Sequence, residues 1–319
     1  MISRRSLLTG LGALAAAPAM QSTLGCVRGD TSTLILIAKI RIARNTWVGS
    51  KVSAEIGKQL VAAMGYEVEV VDVDEYWQFP RLASGDLHAC LEVWPSRHSH
   101  ERELYVDTGI VNDIGALGVI GRRGWYVPKY MKSTFSDLPS WEALKDPALI
   151  SALATTSSAG KGRLLGVHPS YAQVDQQIIS NLSLNLEIEW AGSLDAMLST
   201  IDSAYAASQP LLFHHWEPTV STFKWELLRI ELPDSSSTCQ AKASSGGVDC
   251  DYPLETLEKM ASHELVSRAS DVAVALSKIK IDTTTQEALI KQVAIDGVAV
   301  EDVVSAWFAA NESTWKAWL

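Results

Sequence analysis

Three runs decide the fold: Leu34-Ile35-Leu36-Ile37-Ala38, Tyr66-Glu67-Val68-Glu69-Val70-Val71-Asp72-Val73 and Leu87-His88-Ala89-Cys90-Leu91-Glu92-Val93. The first is continuously apolar, as a strand buried on both faces is. The second alternates apolar and polar side chains, the period of a strand with one covered face. The third is apolar again. Between the first two, Val52, Ile56, Leu60, Val61 and Met64 recur at helical spacing over about 50–64, and Gly65 supplies a stop. A second helix fits 75–84. This β-α-β-α-β order predicts a parallel sheet with crossover helices. Ligands in such sheets bind in loops at the strand C-terminal ends. Asn45-Thr46-Trp47 and Trp94-Pro95-Ser96-Arg97-His98 each fall just past a strand, so two Trp are expected on one edge of one sheet.

A second unit follows the glycine-rich strand Gly115 to Gly121. Gly124-Trp125-Tyr126-Val127-Pro128 leads into a loop, then a helix near Trp141 to Leu144. Leu164 to Val167 reads as a strand ending in His168-Pro169-Ser170-Tyr171. Helices fit about 173–183 and 193–206. The strand Pro210 to Phe213 then delivers His214-His215-Trp216-Glu217-Pro218. Beyond Trp225 to Leu232 and a Ser/Gly-rich loop, helices are expected at about 254–262, 264–277, 284–294 and 299–317. The fold class is therefore α/β, with two lobes, the second inserted in the first. Residues 33–121 and 227–319 are assigned to the first lobe and 122–226 to the second, with aromatic-bearing loops meeting at a cleft.

The first 26 residues have the proportions of a signal peptide: Arg4 and Arg5, a short apolar run from Leu7 to Met20, then small residues and Cys26. Ser3-Arg4-Arg5-Ser6-Leu7-Leu8 fits both a twin-arginine export signal and an ordinary secretory start. Thr23-Leu24-Gly25-Cys26 makes Cys26 a lipidation candidate that would anchor the exported chain to a membrane. Cys239 and Cys250 bracket the Ser/Gly-rich loop and are expected to form a disulfide in an oxidising compartment. Cys90 reads as an inert buried thiol. No Cys/His cluster points to a metal, and no motif calls for a cofactor.

Of the 319 residues, 47% are hydrophobic and 20% charged, with a formal net charge of −10. That balance describes a globular domain and argues against nucleic acid, which demands basic surface. The unusual count is eleven Trp against five Phe. Phe packs a core without an N–H to satisfy, so some of these indoles are expected to face a ligand. Trp47, Trp94, Tyr171 and Trp216 all follow strand ends and could wall a small box. Such a box suits a quaternary ammonium group, which has no hydrogen bond to donate and is attracted by aromatic faces at ~0.5 to 2 kcal/mol each. His98, Arg97 and backbone N–H groups are candidates for an anionic end of the ligand, although Arg97 reads better as a solvated loop residue. Trp77, Trp141, Trp190, Trp307, Trp315 and Trp318 fall in helical patterns and are assigned to the core.

The motifs around Trp94, Trp125, Tyr171 and Trp216, with Asp249-Cys250-Asp251-Tyr252-Pro253 and the Trp315/Trp318 ending, resemble the substrate-binding proteins of glycine betaine/proline betaine ABC importers. The resemblance runs from about residue 33 to 318. It implies a type II periplasmic-binding-protein fold and closure around the solute. It also implies delivery to a permease with its ATPase subunits. Trp94, Tyr171 and Trp216 fall where that family places box aromatics, and His98 where some members place a carboxylate-binding histidine. Trp47 matches a box Trp of the choline-binding branch. That branch has an acid two positions later, where this chain has Gly49, which favours a betaine over choline. Carnitine, proline betaine and trimethylamine oxide stay open.

An enzyme is the competing class. Ser157, Ser158, Gly160, Lys161 and Gly162 lack the spacing of a phosphate loop. His168, His214 and His215, with Glu217, offer acid–base groups without a nucleophile motif or metal set. A ligand sensor that reports to a receptor without transport is a third reading.

Overall fold

The structure is a computed structural model and describes residues 37–169 and 174–319. The signal segment, Cys26 and Tyr171 lie outside the described residues. The first unit runs β1 (Ile40–Arg44), α1 (Val48–Ala63), β2 (Val68–Asp72), α2 (Glu75–Ser84) and β3 (Ala89–Val93). The long β4 (Val111–Pro128) leads to the second unit, β5 (Gly162–Gly166), α3 (Asp175–Asn181), β6 (Leu186–Trp190), α4 (Leu194–Ala206) and β7 (Phe213–Glu217). Then come β8 (Leu227–Arg229), β9 (Leu254–Ser262), α5 (Ser270–Lys278), α6 (Thr283–Ala294) and α7 (Val300–Ala310).

The strands form one sheet in the order β2-β1-β3-β9-β4-β7-β5-β6, with β8 paired to β4. In each half the middle strand pairs in parallel with two neighbours, β1 with β2 and β3, and β5 with β6 and β7. Both halves thus repeat one short α/β winding. The antiparallel pair β9 and β4 joins them, because β4 meets β9 over its first part and β7 over its last. Strand C-terminal ends of both halves supply the residues that converge on the cavity described below.

Amphipathic spacing explains the helices. Val52, Ile56, Leu60 and Val61 on α1 are fully buried, and α1 packs on the first half of the sheet and against α5, α6 and α7. Each such aliphatic burial is worth ~1.5 to 3 kcal/mol. Met64 ends the helix and Gly65 follows with φ +90°, the conformation the stop requires. α2 starts where Asp74 accepts from Tyr76 N at 3.0 Å and ends at left-handed Gly85.

Several elements differ from the sequence reading. The strand expected over 34–38 lies partly outside the described residues; residues 37–38 are not in a strand, and β1 lies at Ile40–Arg44. Ile40 and Ile42 fill the core, while Arg41 reaches sideways to the carbonyls of Asp86 and Gly85 at 2.6 and 2.7 Å, so its charge does not interrupt the strand. Residues 254–262 form a central strand, not a helix. Leu254, Leu257 and Met260 mimic a helical period, but pairing with β3 and β4 on both sides decides the conformation. Its buried Lys259 donates to the carbonyls of Leu276, Ser277 and Ile279 at 3.0, 2.6 and 2.6 Å, satisfying the C-terminal end of α5. His214, His215 and Trp216 lie within β7, held there by β4, rather than on a loop beyond it. Trp77 is 63% exposed and Trp190 sits on β6 at 38% exposure, so neither is core.

Among the described residues no helix is long and apolar enough to cross a membrane. Cys90 is buried, and burial pushes its thiol up to about 12, which keeps it unreactive. Cys239 and Cys250 form a disulfide with Cα atoms 6.4 Å apart across a sequence separation of 11. Closing so short a loop stabilises a fold by about 3 kcal/mol in the chain-entropy model. Replacing both cysteines by serine is expected to lower the unfolding free energy by that order in urea titrations of the oxidised protein. Equal midpoints and slopes for parent and variant would contradict it.

Candidate functional site

Trp47 lies three residues beyond β1, at the cap of α1, and Trp94 directly follows β3 at the cap of the short turn Pro95–Arg97. Trp216 comes from β7 in the other half of the sheet, opposite Arg123 of β4. These three indoles are 4–5% exposed and line one cavity with Glu75, Arg97 and Arg123. The structure therefore brings three of the four proposed box aromatics together, Trp47 and Trp94 from one half of the sheet and Trp216 from the other.

Each indole is seated by a specific contact. Trp47 Nε1 donates to Glu92 Oε1 at 2.5 Å. A Cβ on Gly121 would lie 2.5 Å from Trp94 Cζ3, so only glycine there lets the ring sit against β4. His215 packs beside Trp216, ring centroids 4.8 Å apart. A Cβ on Gly49 would lie 2.9 and 3.1 Å from the two Glu92 carboxylate oxygens, so the space beside Gly49 is filled by a carboxylate from β3.

Charges complete the lining. Glu75 is the first residue of α2 and is 2% exposed; Arg97 is 5% exposed. Arg97 Nε donates to Glu75 Oε2 at 3.0 Å and Nη2 donates to Oε1, a two-point ion pair. The solvated reading of Arg97 is therefore corrected: its guanidinium is buried in the cavity wall. Burial raises the Glu75 pKa, but Arg97 and His98 outweigh it and hold the carboxyl below its ordinary value.

The structure does not bring His98 to the cavity. It is 1% exposed behind Glu75, with Nε2 3.6 Å from Glu75 Oε2 and Nδ1 3.6 Å from Glu101 Oε2. Its ring lies between Tyr76 and Phe79, centroids at 5.9 and 5.2 Å. Burial lowers its pKa, and the two carboxylates reverse this into a net rise.

Arg123 Nη2 donates to Ser96 Oγ, and its Nε lies 3.4 Å from Glu255 Oε1. Glu255 in turn accepts from Ser96 N and Oγ at 2.7 and 2.8 Å. The Trp94 loop is thus tied to both strands that join the halves of the sheet. Burial pulls the Arg123 pKa down from its ordinary value without removing a guanidinium's charge.

Glu75, Arg123 and Glu92 carried no sequence signal. Glu75 reads as a helix-start acid, Arg123 as half of a surface Arg pair, and Glu92 as a polar interruption of a strand. The histidines of the competing enzyme reading are elsewhere. His214 lies 2.9 Å from Asp175, which also accepts from Trp125 Nε1 at 2.7 Å and from the Tyr252 hydroxyl. His215 is fully buried, its pKa lowered to about 3 by burial and then by His214. Neither lines the cavity.

The family model for the substrate binding domain of ABC-type glycine betaine transport systems matches residues 38–310. The chain belongs to that family. As a family member it is similar to a trimethylamine N-oxide-binding protein of Pelagibacter ubique (strain HTCC1062), 26% identical over 289 residues that cover 86% of this chain and 89% of that protein. Among solved structures it is similar to lactococcal OpuAC in its closed form with glycine betaine, with TM-score 0.68 and 16% identity over 88% of this chain and 99% of that one. It is also similar to ProX of Borrelia burgdorferi, with TM-score 0.71 and 16% identity over 88% and 96%. The shared fold is the type II periplasmic-binding-protein fold, two α/β lobes with a ligand cleft between them.

The buried Glu75–Arg97 pair is open to a direct test. Arg97→Met strands a buried carboxylate and is expected to cost about 3 to 5 kcal/mol in urea unfolding at neutral pH. The depressed folded pKa of Glu75 means that its stabilisation is full above the unfolded value, ~4.3, and is lost as pH falls through the folded value. In Arg97→Met that acid-side loss should disappear. Identical pH profiles for parent and variant would contradict the pairing.

Proposed function

We propose that this protein is the exported solute-binding component of an ABC importer and that its cavity captures a compact trimethylammonium zwitterion, glycine betaine or trimethylamine N-oxide. One observation carries the reading: three indoles and two guanidiniums line the same small cavity. The indoles suit a cation that donates no hydrogen bond, each face contributing ~0.5 to 2 kcal/mol when desolvated. The guanidiniums suit the anionic end. Glu75 pairs with Arg97, and Glu255 lies 3.4 Å from Arg123 Nε, so the guanidiniums offer N–H donors to an anionic group instead of an uncompensated charge. Choline brings no anion and leaves buried donors unmatched, at a cost of ~1 to 3 kcal/mol. Glu92 also fills the room beside Gly49 where a hydroxyl-binding acid would stand. The Pelagibacter relative keeps trimethylamine N-oxide beside glycine betaine as a solute.

Tyr171 completes the box as a fourth aromatic in this reading, and His98 positions Glu75 instead of meeting the ligand carboxylate. We place the return of the chain to the first lobe near Leu254 instead of 227. Ile230, Leu232, Cys239, Val248, Cys250 and Tyr252 pack in one cluster with Trp125, Leu164 and Leu212 of the second lobe. Residues 1–26 direct export, Cys26 is the candidate lipid anchor, and the partners are a permease and its ATPase subunits. The bound solute is released unchanged, as transport requires and catalysis would not.

Calorimetric titration of the mature protein is expected to give micromolar binding, about −8 kcal/mol, for glycine betaine or trimethylamine N-oxide, with choline weaker. Trp94→Leu and Trp216→Leu should each lose ~1 to 2 kcal/mol, roughly five- to thirty-fold in affinity. Trp315→Leu, on the distal helix where Trp315 stacks on Phe308, should alter stability alone. Parent-like affinity in both cage variants, choline binding as tight as the zwitterions, or chemical conversion of the solute would overturn the reading.

A further inference from the structure

We infer that Glu92, which lines no part of the cavity, is a specificity-determining positioning residue whose buried carboxylate charges the Trp47 indole from behind and so selects a cation over a neutral group of the same shape. The inference rests on the function proposed above and goes beyond it. Glu92 lies on β3 and is 2% exposed. Its Oε1 accepts from Trp47 Nε1 at 2.5 Å, and its Oε2 accepts from Ser53 Oγ of α1 and Gln286 Nε2 of α6 at 2.9 and 2.7 Å. Gly49 leaves the space that this carboxylate fills.

Packing alone does not explain an acid here. A core position between a helix and a sheet is filled at lower cost by an aliphatic side chain, since burying a charge is expensive. Burial raises the Glu92 pKa above its ordinary value, and hydrogen bonds from Trp47, Ser53, Gln286 and Trp94 offset that rise only in part. Trp47, Ser53 and Gln286 all approach as donors, an arrangement that favours the ionised form against the cost of burial. Two consequences follow for the site. The Trp47 N–H is satisfied on the side away from the ligand, which fixes the ring in the cavity wall. The charge also draws on the indole through its N–H, and it adds a direct attraction on a cation held against the ring. A carboxylate in low-dielectric surroundings acts over such a distance far more strongly than it would in water. A neutral ligand of equal shape gains from the fixed ring but not from the charge.

The test separates shape from charge. Glycine betaine is compared with 3,3-dimethylbutanoate, in which carbon replaces the ammonium nitrogen, and trimethylamine N-oxide with tert-butanol. Titrations use the parent, Glu92→Gln and Gly49→Ala, with thermal melts to verify folding. Glu92→Gln keeps an acceptor for Trp47 and removes the charge. Gly49→Ala pushes the carboxylate off its seat from the other side. In Glu92→Gln, affinity for the trimethylammonium ligand is expected to fall about tenfold, about 1.4 kcal/mol, while neutral tert-butanol and anionic 3,3-dimethylbutanoate, which lack the cationic nitrogen, show no loss. Gly49→Ala should narrow the same preference even if Glu92→Gln does not fold. An equal loss for cation and analogue would make Glu92 a mere anchor, and unchanged affinities would remove it from recognition altogether; either overturns the inference. A parent that binds neither cation overturns the proposed function instead.

Discussion

A buried indole can turn its face to a cation only if its N–H is satisfied somewhere else. That requirement organises the candidate site. Trp47 meets it through Glu92, and Glu92 is held by Ser53 of α1 and Gln286 of α6. The carboxylate fits because residue 49 is glycine, and Trp94 fits because residue 121 is glycine. At Trp47 the wall of the proposed cage thus rests on a set of hydrogen bonds behind the ring. The same logic applies to the charged wall, where Arg97 is paired with Glu75 and Glu75 is backed by His98.

The architecture places these parts where they can respond to a ligand. Trp47 and Trp94 come from the first half of the sheet and Trp216 from the second, so a solute held among them would touch both halves. β4 and β9 are the strands that pass between the halves. Arg123 and Glu255, one on each, meet at Ser96, two residues after Trp94. A shift of the Trp94 loop on binding would be transmitted to those strands through direct bonds and not through a long path. The Asp175–His214–Tyr252 cluster does not line the cavity but backs it, since Arg123 Cζ lies 5.0 Å from the Tyr252 ring centroid, and it ties α3 to β7 and to the segment after the disulfide.

Local periodicity carried much of this into the sequence. The α/β order of the first unit, the bounds of α2 and the convergence of Trp47, Trp94 and Trp216 were legible because strands and helices there follow their own periods. β9 was not, since its Leu254, Leu257 and Met260 spacing imitates a helix and only its neighbours reveal a strand. β1 was displaced because Arg41 and Arg44 disguise a core strand as surface; Arg41 snorkels to backbone carbonyls and Arg44 pairs with Asp72. The charged half of the site was also hidden. Glu75, Arg123 and Glu92 are ordinary residues in ordinary local contexts, and their importance arises from pairing across 22 to 194 positions of chain; Arg97 was a named candidate whose burial against Glu75 was not legible. His98 was misplaced for the same reason, because its loop position is right while its ring turns toward Glu75.

The most direct measurement is a crystal structure of the mature protein grown with glycine betaine or trimethylamine N-oxide. The account predicts the ligand nitrogen over the faces of Trp47, Trp94 and Trp216, within about 6 Å of each ring centroid, with the anionic end toward the guanidinium side of the cavity. A ligand bound away from these rings, or one whose ammonium group meets the guanidiniums while its anionic end meets the indoles, would contradict it.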